Sequence, residues 1–159
     1  MILVLLGTHE LQFTRLLKDI EKCIDNGGIN EEVLVQTGNT KYQSDKMKMI
    51  DYISYDQLTE LTKKADFIIT HGGTGSIVTS LRMDKKVIAV PRLKKYNEHN
   101  DDHQMEILNV FSEKGYIIIY SEHDSLEEKI KELKKFEPQP FSSDNSKMVE
   151  IIKNFINKN

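Results

Sequence analysis

The sequence predicts a doubly wound α/β domain, a mostly parallel sheet with helices on both faces. Two observations carry that expectation. Short apolar runs of strand length alternate along the chain with segments whose apolar residues recur at helical spacing. The first run, residues 2–6 (ILVLL), is apolar at every position, as a strand covered on both faces of a parallel sheet must be.

The elements follow in order. After the strand at 2–6, Phe13, Leu16, Leu17 and Ile20 stand at helical spacing. EVLVQTG (32–38) reads as the second strand and MKMIDYIS (47–54) as a short third. A helix over 55–64 follows, entered through Ser54 and Gln57 at capping-box spacing. FIIT (67–70) is a fourth strand, 76–83 a short helix, and KVIAVP a fifth strand stopped by Pro91. A helix over about 101–114, the strand YIIIY (116–120) and a helix over 126–135 complete the alternation. FEPQPFSSDNS is the one linker-like stretch (136–146), and a last helix is expected over 146–157. The whole chain, 1–159, reads as one domain.

Composition excludes several classes. With 22 basic and 25 acidic residues the net charge is -3, and the lysine-rich stretches alternate sign, so there is no electrostatic case for nucleic acid. The single Cys23 offers neither a disulfide framework nor zinc spacing and fits a reducing cytoplasm. The opening apolar run lacks a basic leader and ends at Gly7, too short for a signal peptide or a membrane span.

FIITHGGTGS (67–76) places Gly72, Gly73 and Gly75 between a buried strand and a helix. One glycine would suffice for a tight turn of positive φ. Three, accompanied by the hydroxyls of Thr74 and Ser76, suit a turn whose backbone N–H groups approach a phosphate at the positive end of a helix. Val78 stands where the dinucleotide fingerprint needs its third glycine, and the P-loop pattern is absent, so a dehydrogenase or ATPase is disfavoured.

PRLKKYNEHNDDHQ (91–104) also follows a strand. His99 and His103 are four apart, as paired metal ligands can be, but the glutamate of H-E-x-x-H and a third ligand are missing. Asp101 and Gln104 have the spacing of a capping box ahead of Met105, Ile107, Leu108 and Phe111. His103 and Gln104 in the same first turn would equally suit a polyhydroxylated ligand, since an amide both donates and accepts.

THGGTGSI, NEHNDDHQ, LLGTHE and VQTG together resemble the C-terminal, donor-binding domain of family 28 glycosyltransferases over roughly residues 1–120. The chain is similar to the small subunit of two-component bacterial enzymes that build capsule or exopolysaccharide, and to the catalytic subunit of the eukaryotic two-part N-acetylglucosaminyltransferase of the dolichol pathway. The resemblance implies a Rossmann-like half of a GT-B enzyme. It assigns His71, Gly72, Gly73, Thr74, Gly75 and Ser76 to the nucleotide diphosphate, with Gly7 and Thr8 facing the same phosphates. Tyr52 and Ile53 match the stretch that holds uracil, and His103 and Gln104 the pair that reads donor-sugar hydroxyls. Several relatives grip the ribose with a carboxylate on the helix after the glycine turn, where this chain has Val78, Thr79 and Ser80.

The resemblance further implies inverting transfer from a UDP-sugar, with neither metal nor cofactor, the leaving charge being met by helix N-termini and backbone donors. His9 is the candidate general base, a histidine being suited to that task near neutral pH. It reads equally as a loop histidine satisfying backbone groups, and the base could sit on a partner. Since only the donor half is expected here, a membrane-anchored partner subunit should bring the lipid-linked saccharide acceptor and hold the chain at the inner face of the plasma membrane. The apolar stripe Val149, Ile152, Phe155 and Ile156 could face that partner or pack on its own domain. A noncatalytic sugar-nucleotide-binding or enhancer subunit would carry the same binding residues.

Overall fold

The computed structural model of the chain describes residues 1–141 and Lys153. Apart from Lys153, the expected last helix (146–157) lies outside the described residues, as do residues 142–146 of the linker.

Six strands form one sheet in which every neighbouring pair is parallel: β1 (Ile2–Leu5), β2 (Val33–Gln36), β3 (Lys48–Ile50), β4 (Phe67–Thr70), β5 (Val87–Ala89) and β6 (Ile118–Ile119), in spatial order β3-β2-β1-β4-β5-β6. Over residues 1–141 the helices are α1 (Thr14–Asp25), α2 (Tyr55–Lys64), α3 (Thr74–Arg82), α4 (Gln104–Glu113) and α5 (Leu126–Lys135), with a 3₁₀ turn at Lys94–Tyr96.

Strand alternation sorts the core into two layers. Ile2, Val4 and Leu6 pack with Leu16, Leu17 and Ile20 of α1 and with Leu126, Ile130 and Leu133 of α5. Leu3 and Leu5 face the opposite layer, with Ile77 and Leu81 of α3, Ile107, Leu108 and Phe111 of α4, and Leu58 and Leu61 of α2. Burial on both faces is why β1 has no polar position.

The capping box entering α2 is present: the Ser54 hydroxyl accepts from the Gln57 N–H at 3.2 Å, and the Gln57 amide accepts from the Ser54 N–H at 2.9 Å. The one expected at Asp101 and Gln104 is not. Helix α4 begins at Gln104, the Asp101 carboxylate accepts from the His103 N–H, and the Gln104 amide oxygen turns away to accept from the Arg92 N–H at 3.1 Å. A loop that has to be tied back to β5 outcompetes the local cap. Helix α3 starts two residues earlier than the sequence suggested, at Thr74, so Gly75 lies inside its first turn.

Candidate functional site

Sheet order reverses at β1. The next strand in sequence, β2, lies on one side of it, whereas β4 lies on the other. The crevice beyond the carboxyl ends of β1 and β4 is thus a topological switch point, where open parallel sheets bind ligands. The two loops that leave it are Gly7–Thr8–His9 and His71–Gly72–Gly73, joined by the His71 N–H donating to the Leu5 carbonyl at 2.9 Å.

Two cavities adjoin there. The larger, about 530 Å³, is walled by Gly7, Thr8 and His9 on one side and His71, Gly73, Gly75 and Ser76 on the other, with Tyr52 and Ile53 at one end. The smaller, about 210 Å³, runs past Gly72, Gly73 and Thr74 to His99, His103 and Gln104. Gly73 borders both. The residues expected from the sequence to hold the donor therefore gather around these two adjoining cavities, and they come from four separate stretches of chain.

The three glycines of the turn have different reasons to be there. Gly72 sits at φ 88, a left-handed conformation that disfavours a side chain. At Gly73 a Cβ would stand 2.6 Å from the His71 ring, so the imidazole occupies the space that its absence leaves. Gly75 has ordinary φ, and a Cβ there would meet nothing within 4 Å. Neither fold nor conformation requires glycine at that position, and glycine in a helix costs about 0.5–1 kcal/mol relative to alanine. Helix α3 also has no side-chain cap, so the N–H groups of its first turn point into the cleft without an internal partner.

His71 is wedged between the two loops, close enough to Gly7 that a Cβ there would lie 2.4 Å from its Nε2. Its Nδ1 is buried and has no hydrogen-bond partner. Burial, aided by the nearby Arg92 charge, drops its pKa to about 3, so the ring is neutral. Burial and Arg92 also lower the pKa of His9, with His99 adding to the effect. His9 accepts the Leu11 N–H on Nδ1 at 3.0 Å, which places the proton of the neutral ring on Nε2. As arranged here His9 is a donor, and the lone pair a general base needs is engaged with its own loop.

Several residues that hold this cleft were missed at the sequence level. The buried Gln36 amide accepts from the Gly7 N–H at 3.1 Å and donates to the Gly7 carbonyl at 3.2 Å, so the Gly7 N–H faces Gln36 and not the cleft. Asn39 donates to the carbonyls of Thr8 and His9 and accepts from the Tyr52 hydroxyl at 2.8 Å, leaving the Tyr52 ring exposed at the cavity end. Arg92, only 1% exposed, donates to the carbonyls of Leu6, Leu11 and Glu98, and its guanidinium lies 4.8 Å from the Phe13 ring centroid. Burial lowers its pKa to about 10, still cationic at neutral pH. Glu98 in turn pairs with Arg15 through both oxygens, at 2.7 and 3.0 Å. A polar residue closing an apolar strand run, as in VLVQ, and an arginine directly after the β5 proline were the signals available.

On the helix after the turn, Ser80 is buried and donates to the Ser76 carbonyl at 2.8 Å, so it is spent within α3. Among the described residues no group of three or more His, Cys, Asp or Glu side chains is gathered to hold a metal.

Fold and cleft define a doubly wound domain with its ligand crevice at the switch point. The chain belongs to the glycosyltransferase family 28 C-terminal domain family, whose model matches residues 1–158. It is 25% identical over 95 residues to the UDP-N-acetylglucosamine transferase subunit ALG13 of Debaryomyces hansenii, a match covering 60% of this chain and 44% of that protein. It is 30% identical over 125 residues to the UDP-N-acetylglucosamine–N-acetylmuramyl-(pentapeptide) pyrophosphoryl-undecaprenol N-acetylglucosamine transferase of Clostridium botulinum, over 75% of this chain and 32% of that enzyme. The match thus spans less than half the length of either relative. In fold it is similar to the solution structure of ALG13 (TM-score 0.57, 20% identity, 98% of this chain and 94% of that one). It is also similar to the glycosyltransferase SnogD from Streptomyces nogalater (TM-score 0.56, 17% identity, 99% of this chain and 38% of that one). The architecture is that of one half of a GT-B glycosyltransferase.

Proposed function

We propose that this chain binds the UDP-sugar donor of an inverting glycosyltransferase and works as one subunit of a two-part enzyme that adds a hexose to a lipid-linked saccharide. Gly75 is the observation that carries the reading: a glycine that neither the fold nor its φ demands, on an uncapped helix N-terminus, in the wall of a cavity. A diphosphate pressed against the first turn of α3 accounts for it, because a Cβ would hold the phosphate away from the N–H groups.

On this reading uracil lies at the Tyr52 and Ile53 end of the larger cavity, Tyr52 presenting an open ring face. The diphosphate crosses Gly73, and the sugar enters the smaller cavity beside His103 and Gln104. The Gln104 oxygen is already bonded to the Arg92 N–H, so its NH₂ is the group left to donate to a sugar hydroxyl. When the acceptor hydroxyl attacks the anomeric carbon, the bond to the diphosphate breaks and negative charge grows on the leaving oxygen. The N–H groups of α3 are already oriented toward it, which is how preorganised dipoles lower such a barrier. No metal or cofactor is needed for that stabilisation.

A separate acceptor-binding subunit is proposed because the Debaryomyces relative is named a transferase subunit. A lipid-linked acceptor is supported by the undecaprenol-linked substrate in the name of the Clostridium enzyme. We further propose that the partner carries the anchor and holds the chain at the cytoplasmic face of the plasma membrane, where it would meet a lipid-linked acceptor. The place in capsule or exopolysaccharide synthesis rests on the motif resemblance, since both relatives cited are named for N-acetylglucosamine transfer.

A noncatalytic, enhancing role is the second reading. It is favoured by two observations: the imidazole expected to act as base has its Nδ1 engaged by the Leu11 N–H, and among the described residues no carboxylate lines the larger cavity. The test is sugar transfer from UDP-glucose, UDP-galactose or UDP-N-acetylglucosamine to a lipid-linked acceptor, with native membranes supplying the partner. Transfer that needs both the chain and the membranes, and is abolished by Gly75→Val, supports the catalytic reading. Transfer by membranes alone that the wild-type chain only stimulates supports the enhancer. Full turnover by the purified chain would sink the two-subunit proposal.

A further inference from the structure

His99 belongs to no role assigned above, yet its ring lies against His9, with centroids 4.7 Å apart and planes inclined at 32°. In both rings Nδ1 is turned back to its own loop: His9 accepts from the Leu11 N–H at 3.0 Å and His99 from the Asp101 N–H at 3.3 Å. The neutral form of each ring therefore carries its proton on Nε2, the one nitrogen left to meet a ligand. His9 lines the larger cavity and His99 the smaller, so the stack stands where the two cavities meet, with Gly73 bordering both.

The placement is not left to the two loops. Arg92 donates to the carbonyls of Leu6 and Leu11, which bracket His9, and to the carbonyl of Glu98, which precedes His99. One buried side chain thereby fixes both histidine loops relative to each other, and Arg15 holds Glu98 from the other side. Glu10 and Asp101 are the acidic neighbours, the Asp101 carboxylate lying 3.6 Å from His99 Nδ1 without replacing the backbone donor.

We infer that His9 and His99 form a two-imidazole donor pair that closes over the diphosphate from the side opposite the glycine turn, with Arg92 as the residue that positions it. The inference rests on the function proposed above: a ligand with its base in the larger cavity and its sugar in the smaller must pass its two phosphates through the junction that the pair roofs. The chemistry recognised is a nucleoside diphosphate, and a nucleoside ending before the junction gains nothing from the pair.

Calorimetric titration of the wild-type chain, His9→Phe and His99→Phe with UDP and with uridine tests this. Phenylalanine keeps a stacking ring and removes the N–H. Each variant should lose about tenfold in UDP affinity, the scale of one hydrogen bond to a charged group, while uridine affinity stays within about twofold. If a variant fails to fold, the imidazole ¹⁵N spectrum of the wild type decides: UDP should move the Nε2 resonances of both histidines and uridine should leave them in place. UDP binding that leaves both resonances and both affinities unchanged would overturn the donor pair alone. A wild-type chain that binds no UDP would overturn the proposed function and the pair with it.

Discussion

Gln36 clasps Gly7 at both ends of one residue, its amide oxygen 3.1 Å from the Gly7 N–H and its amide nitrogen 3.2 Å from the Gly7 carbonyl. The same nitrogen reaches the Asp51 carbonyl at 3.1 Å, so one buried side chain ties β2, the loop after β1 and the approach to Tyr52 together. Gly7 is held at φ 73 in this clasp, with its missing side chain making room for His71.

Replacing Gln36 by leucine keeps the volume and removes all three bonds. We expect a loss of about 1–3 kcal/mol in urea denaturation, the usual consequence of stranding buried backbone groups. UDP affinity should fall as well, because both cavity walls shift. A Gln36→Leu protein with unchanged stability would show that the clasp is incidental.

The glycine turn yields a sharper separation. Gly73→Ala drives a methyl into the His71 ring and should lower thermal stability together with ligand binding. Gly75→Ala has open space and ordinary backbone, so stability should hold or rise by up to about 1 kcal/mol, as for glycine replaced at a compatible helical site. UDP affinity should nonetheless drop. Thermal melts with and without UDP read both quantities, and a Gly75→Ala protein that binds UDP as tightly as the wild type would remove the phosphate from the first turn of α3.

Gln104 serves two partners with two atoms, and two substitutions divide them. Gln104→Glu keeps an oxygen for the Arg92 N–H and abolishes the donor that faces the smaller cavity, so UDP-sugar binding should weaken by about 1–3 kcal/mol with UDP nearly unaffected. Gln104→Ala should add a stability loss from the stranded Arg92 N–H. Equal losses for UDP and UDP-sugar in Gln104→Glu would assign the residue to loop anchoring only.

His71 makes stability depend on acid. Its pKa is about 3 in the folded chain against 6.5 for the unfolded residue, so below pH 6.5 the unfolded chain binds the proton that the folded one refuses. The contribution of this group is fully present above pH 6.5 and is lost progressively as pH falls toward 3, at up to about 1.4 kcal/mol per pH unit. Denaturation curves between pH 7 and 4.5 should show that slope, and His71→Gln should flatten it whatever the variant's absolute stability. An unchanged slope would mean that the ring is accessible to protons in the folded state.

Most of the fold was legible in the sequence because the β1 and β4 runs and the faces of α1 and α5 are local patterns, set by burial on both sides of a parallel sheet. The site was legible as a set of residues, since the glycine turn and the His103–Gln104 pair each lie on one short stretch beside a strand end. What was not legible is what crosses between stretches. Gln36 to Gly7, Asn39 to Tyr52 and Arg92 to Leu6 and Leu11 span 13 to 86 positions, and nothing local in the chain encodes them. The helix start at Asp101 failed for the same reason: the capping spacing was real, but Gln104 had a distant partner in Arg92.

The central claim, that a UDP-sugar lies across the glycine turn of this chain, is tested most directly by titrating the ¹⁵N-labelled wild-type chain with UDP and following its backbone amides. The account predicts that Thr74, Gly75 and Ser76 shift most, with Tyr52 and Ile53 moving in step and the remote α5 amides still. Absence of any saturable shift, or a set of shifted amides centred away from residues 71–76, would contradict it.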